Sequence, residues 1–115
     1  MAPDAVQRAI ACWEAVFDKC RALPPGRYAL FGASEIACLL QCYGRLDRLG
    51  LVMALDDVPE RYPSGAFGVP VRALDSVSDS ELAGVDAVIL ALNPAYHDAV
   101  ASRCADRHLA VVNPF

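Results

Sequence analysis

Three short stretches of the chain carry the groups that do chemistry. The first is Gly32-Ala33-Ser34-Glu35, between an apolar run over residues 27–31 and a run with helical spacing. Set against the dinucleotide fingerprint G-x-G-x-x-G/A, it supplies Gly32-x-Ser34-x-x-Ala37. The first and third positions fit, and Ser34 stands where a second glycine would let backbone approach a pyrophosphate. Its hydroxyl is itself a donor, while Glu35 adds a negative charge to the same turn. The second stretch is Asp56-Asp57, 24 and 25 residues beyond Gly32 and at the end of the next apolar run. A carboxylate at that place accepts from the hydroxyls of a ribose. The third is Asn93-Pro94-Ala95-Tyr96-His97, with asparagine as a helix cap and proline at the first helical position. Tyr96 and His97 are the acid/base candidates of that turn. A helix N-terminus disfavours the imidazolium, which suits His97 to hydrogen bonding or proton transfer as neutral imidazole. Each stretch also has a plainer reading: Gly32 as a tight turn, the aspartates as a strand end, Asn93 as a cap only, His97 as an exposed surface residue.

Five cysteines, Cys12, Cys20, Cys38, Cys42 and Cys104, are an odd number with no secretory signal beside them. They are expected to be reduced and mostly buried in a cytoplasmic protein, with no disulfide. Cys38 and Cys42, and likewise Cys104 and His108, share a helix face. Each pair brings two metal ligands and nothing brings the pairs together, so buried small hydrophobes are the expected reading and no metal is assigned.

These stretches need elements to hold them. Val6, Ile10, Trp13, Phe17 and Cys20 recur at spacings of 4, 3, 4 and 3, one stripe of an amphipathic helix. Asp4 with Gln7 forms its N-terminal cap, and Pro24-Pro25-Gly26 ends it. Residues 27–31 and 51–55 are apolar strands. Between them residues 34–43 form a helix with Ile36, Leu39, Leu40 and Tyr43 on one face. Two strands joined through a helix make a parallel βαβ unit. Residues 58–68 carry Pro59, Pro63, Gly65 and Gly68 and read as a loop. Val69-Pro70-Val71 fits a short edge strand. Ser78-Asp79-Ser80-Glu81 is a capping box before a brief helix. Residues 87–92 form the most apolar strand, Asn93 opens a helix to about Arg107, and residues 109–112 close the sheet.

The pattern predicts a three-layer, Rossmann-like α/β sandwich of about five mostly parallel strands in the order 3-2-1-4-5, with an extra N-terminal amphipathic helix. With 115 residues the chain forms one domain, residues 1–25 being the N-terminal helix and 26–115 the α/β core. In such a sheet ligands bind beyond the carboxyl ends of the strands where the order reverses, here between the first and fourth strands. The Gly32 and Asn93 loops meet there, and both open helices. Two helix N-termini with unpaired N–H groups favour an anionic ligand.

The succession of a Phe31-Gly32-Ala33-Ser34-Glu35 turn, a strand ending in Asp56-Asp57, a loop to Gly68-Val69-Pro70-Val71, a capped helix and an apolar strand resembles a known group. It is similar to the Rossmann-like N-terminal domain of bacterial sugar acyltransferases and related modules of sugar-modifying enzymes and methyltransferases, over residues 26–113. The resemblance implies a nucleotide-sugar or dinucleotide such as NAD(P) held by Gly32, Ser34 and Asp56, with catalysis in another domain. This chain differs in having Ser34 and Glu35 in the turn, in the segment from Asn93 to His97, and in having no counterpart of the acyltransferase repeat domain.

Composition narrows the function further. A net charge of −4 with a single lysine, Lys19, argues against nucleic acid. No apolar run approaches a bilayer span of about 18 residues, which argues against a membrane protein. The leading expectation is a nucleotide or nucleotide-sugar binding module without complete catalytic machinery. One alternative is a small NAD(P)-dependent oxidoreductase or epimerase, completed by oligomerisation and using Tyr96 or His97. The Tyr-x-x-x-Lys pair of short-chain dehydrogenases is impossible with Lys19 ahead of the first strand. The other alternative is a ligand-free protein-interaction domain. Trp13 and Phe17 on the first helix also predict a homo-oligomer, a dimer through that helix.

Overall fold

Alternation along the strands decides the architecture. In the computed structural model, which describes residues 4–115, β1 (Arg27–Phe31) sends Tyr28 and Leu30 to one side of the sheet and Ala29 and Phe31 to the other. All four are buried, as a strand covered on both faces requires. β2 (Gly50–Leu55) and β4 (Ala87–Leu90) divide in the same way: Ala54 and Ile89 face one cluster, while Met53, Leu55, Val88 and Leu90 face the other.

The sheet has five parallel strands in the order β3-β2-β1-β4-β5, with β3 (Val71–Arg72) and β5 (Val111–Val112) at its edges. This is the expected order. The β3 edge begins two residues later than the Val69-Pro70-Val71 reading. Pro70 has no N–H for the ladder and contributes only its carbonyl, to Ala54 N at 3.0 Å. Val69 instead closes a tight hairpin with Ala66.

α1 (Ala5–Arg21) and α2 (Glu35–Tyr43) cover the first face, through Val16, Cys20, Ala37 and Leu40. α3 (Asp79–Leu82) and α4 (His97–Asp106) cover the second, through Leu82, Val100 and Cys104. The predicted capping boxes form at both places: Asp4 accepts from Gln7 N at 2.8 Å, and Ser78 from Glu81 N at 3.2 Å. Arginines tie the layers together. Arg107 donates to the carbonyls of Leu74 and Val77, and Arg48 to those of Cys20 and Arg21.

The apolar stripe of α1 is divided along its length. Val16 and Cys20 are buried, whereas Val6 is 65% and Ile10 53% exposed. The helix therefore covers the sheet with its C-terminal half only. The α2 face departs from the expected one: Ala37 and Leu40 are its buried residues, and Tyr43 is 60% exposed against α1. No helix among the described residues is long and apolar enough to cross a membrane.

Candidate functional site

The strand order reverses between β1 and β4, and the predicted loops do meet there. Gly32 continues β1 by donating to the Leu55 carbonyl at 2.8 Å, and Ala91 N donates back to Phe31 at 2.9 Å. Gly32 has φ +113°, and a Cβ at this position would lie 2.9 Å from the Ala91 carbonyl carbon and closer still to its oxygen. The closeness of two strand ends thus demands glycine here, independently of any ligand. Ala33 is buried beside it, while Ser34 and Glu35 are exposed at the start of α2.

Of the two helix starts, one is open and the other closed. Ser34 occupies the N-cap position of α2, but its side chain caps nothing. The first-turn N–H groups of this nine-residue helix therefore face the carboxyl edge of the sheet without a side-chain partner. At the other start, the Asn93 amide oxygen accepts from Ala95 N at 2.9 Å. Residues Pro94–Tyr96 form a 3-10 turn, and α4 begins only at His97. The single helix expected from Asn93 to Arg107 is therefore a turn followed by a helix, and its first N–H is already satisfied.

The two acid/base candidates do not share an environment. Tyr96 is 61% exposed, whereas His97 is only 6% exposed. His97 is a core residue and not the surface histidine of the plainer reading. Its Nε2 donates to the Leu92 carbonyl at 2.9 Å, and its ring packs on Phe115 with centroids 5.1 Å apart.

The aspartates at the end of β2 are engaged within the protein. Asp56 is half-buried and accepts from Val58 N at 2.8 Å, closing a turn on itself. Asp57 accepts from both terminal nitrogens of Arg103, at 2.9 and 3.2 Å, a two-point pair across 46 residues. The Arg103 guanidinium lies 5.4 Å from the centroid of the Phe31 ring, and hydrogen bonding to Asp57 pushes its pKa up further. Asp57 thus fastens α4 to the end of β2, with both oxygens committed.

The cysteines divide differently from the expectation. All five are free thiols, but only Cys20 and Cys104 are buried; Cys12, Cys38 and Cys42 are exposed. Cys38 and Cys42 sit on the outward face of α2 and belong to no core cluster. Burial pushes the Cys20 thiol up to about 11 and raises Cys104 as well. Among the described residues no three His, Cys, Asp or Glu side chains gather closely enough to hold a metal.

Two apolar hollows flank α1. One, of about 220 Å³, lies beside the reversal and is lined by Cys12, Trp13, Val16, Ile36, Pro94 and Phe115. The other is a groove of about 630 Å³ on the outside of α1, between Val6, Ile10, Trp13, Phe17 and Tyr43. Trp13 belongs to both. It also stands in an unbroken row of rings, Tyr43–Phe17–Trp13–Phe115–His97, with centroids 5.1 to 5.6 Å apart. One signal of this arrangement was legible in the residues. Asn113-Pro114-Phe115 repeats Asn93-Pro94-Ala95, and Asn113 accepts from Phe115 N at 3.0 Å as Asn93 does from Ala95.

Compared with protein-family models, curated proteins and solved structures, the chain matches none.

Proposed function

We propose that the protein is a binding module for a small anionic ligand of the nucleotide class, held at the start of α2. One observation carries this reading: the first turn of α2 opens, without a side-chain cap, at the place where the strand order reverses. A helix start offers N–H donors and a positive dipole end to an anion. Glu35 already stands in that turn, so the ligand approaches from the Ser34 side. Binding is favoured over catalysis because His97 is buried and committed to Leu92 and Phe115, whereas Tyr96 is exposed. NAD(P) and a nucleotide-sugar are the ligands first in line, with Asp56, which follows β2, as the carboxylate proposed to take a ribose.

A thermal-shift screen with NAD(H), NADP(H), UDP-sugars, coenzyme A and simple nucleotides tests the reading. A ligand present at 100 times its Kd stabilises the folded state by about 2.7 kcal/mol, well above detection. Ser34→Asp supplies a capping carboxylate of the protein's own, which stabilises the helix by up to about 1 kcal/mol and competes with the ligand. The expected result is a higher melting temperature for this variant and no shift with ligand. No shift of the natural protein with any compound of the panel removes the proposal.

A specific observation also favours self-association. Val6 and Ile10 are exposed on the same side of α1 as the partly buried Trp13 and Phe17, beside the exposed Tyr43. We propose that this face pairs with a second copy in antiparallel fashion, setting the aliphatic half of one helix on the aromatic half of the other. Ile10→Glu, on an exposed position, should leave the fold intact and give a monomer by sedimentation velocity. A natural chain that sediments as a monomer at high micromolar concentration excludes the dimer.

A further inference from the structure

The hollow beside the reversal has no counterpart in the anionic reading. Its walls come from four separated parts of the chain: Cys12, Trp13 and Val16 from α1, Ile36 from the first turn of α2, and Pro94 and Phe115 from the segments that follow β4 and β5. No charged side chain lines it, and its polar side-chain groups are the indole N–H of Trp13 and the thiol of Cys12, an exposed residue. A space with so few hydrogen-bond partners holds water poorly, and its walls lack dispersion contacts that an apolar occupant restores.

Size and shape narrow the occupant. About 220 Å³ is below the roughly 300 to 1,000 Å³ typical of sites for drug-sized ligands and cofactors, so a nucleotide-sugar does not fit inside it. An apolar cavity of about 150 Å³ takes benzene, so this one accommodates a substituted ring or two fused rings. Two of the walls are themselves aromatic. Trp13 and Phe115 meet edge to face at 76° with centroids 5.6 Å apart, an arrangement that presents both a ring face and a ring edge to a guest.

We propose that this hollow is a binding site for a small uncharged aromatic molecule of one or two rings. The site goes beyond the anionic reading and does not depend on it.

Three exposed thiols make the test internally controlled, because only Cys12 lines the hollow while Cys38 and Cys42 lie on the outer face of α2. The folded protein is alkylated with iodoacetamide with and without toluene, and each cysteine is followed by peptide mass spectrometry. Toluene at roughly ten times its Kd should slow Cys12 by about ten-fold and leave Cys38 and Cys42 unchanged. Trp13, the single tryptophan, should change its emission over the same titration. Methylcyclohexane, similar in size but without a π-system, should protect Cys12 far less. Ile36→Phe fills the hollow from a partly buried position and should abolish the toluene effect, and its melting curve reports that it has folded. Ser34→Asp should leave toluene protection intact, which separates failure here from failure of the anionic reading. Unaltered Cys12 reactivity at toluene saturation overturns the proposal. So do equal slowing of all three thiols, and protection by methylcyclohexane as strong as that by toluene.

Discussion

Replacing Gly32 by alanine isolates what the reversal point demands of the backbone. The added methyl lies 2.9 Å from the carbonyl carbon of Ala91 and closer still to its oxygen. Both atoms are main chain, in the residue that directly follows β4, and cannot rotate away. With φ at +113°, the residue also lies outside the small left-handed region that other residues tolerate. Backbone strain of this kind costs about 1–3 kcal/mol, and forcing an extra carbon into a packed site costs about 1–3 kcal/mol more. The expected loss is therefore about 2–6 kcal/mol, a large part of the roughly 5–15 kcal/mol that holds a domain folded. For a chain of this size about 4 °C or more is lost per kcal/mol, so the melting temperature should fall by at least about 8 °C, and by about 16 °C at the middle of that range. Gly68→Ala is the matched control. Gly68 has φ +75°, but a Cβ there meets nothing within 4 Å. It suffers only the left-handed cost of about 1–2 kcal/mol, or roughly 4–10 °C. Melting both variants by far-UV circular dichroism separates collision from conformation. A Gly32→Ala protein that melts within a few degrees of Gly68→Ala would show that β1 and β4 do not approach as described.

The remaining expectations are quickly checked. An Ellman titration of the folded protein at pH 8 should count three fast thiols, Cys12, Cys38 and Cys42, with Cys20 and Cys104 reacting only after denaturation. Cys20, raised to about 11 by burial, favours its protonated form in the folded state. Its contribution is therefore complete below the unfolded thiol's pKa near 8.5 and is lost as pH rises through about 11, so urea midpoints should fall across that window and fall less in Cys20→Ala. Asp57→Ala should cost no more than about 1 kcal/mol because the pair with Arg103 is largely solvated, and a double-mutant cycle with Arg103→Ala should return a coupling within that limit.

The parts of the fold that read well from the residues are those dictated by short-range pattern. Continuous apolar runs marked β1, β2 and β4 because both faces of each are covered, and the capping boxes at Asp4 and Ser78 announced α1 and α3. What escaped was set by partners far away in the chain. Asp57 looked available until Arg103, 46 residues on, took both oxygens. His97 looked like a surface residue because the ring that buries it, Phe115, comes from the end of β5. Cys38 and Cys42 counted as apolar in a helix whose buried side needs only Ala37 and Leu40. Asn93 was read correctly as a cap, but that cap also closes the second helix start and leaves one open site where two were expected. α1 carried an apolar stripe longer than the sheet it covers, and a periodicity does not say where its partner surface ends.

The paired Asn-Pro turns have a chemical consequence for the ageing of the molecule. Asparagine degrades chiefly when the backbone nitrogen of the following residue attacks the side-chain amide and closes a succinimide. Asn93 and Asn113 are the only asparagines in the chain, and proline follows each of them. A proline nitrogen carries no hydrogen to lose. In each turn the amide oxygen is also held by the N–H of the residue beyond the proline. The sequence that ends two neighbouring strands thereby closes the usual deamidation route at both positions, and prolonged incubation should leave both side-chain amides intact.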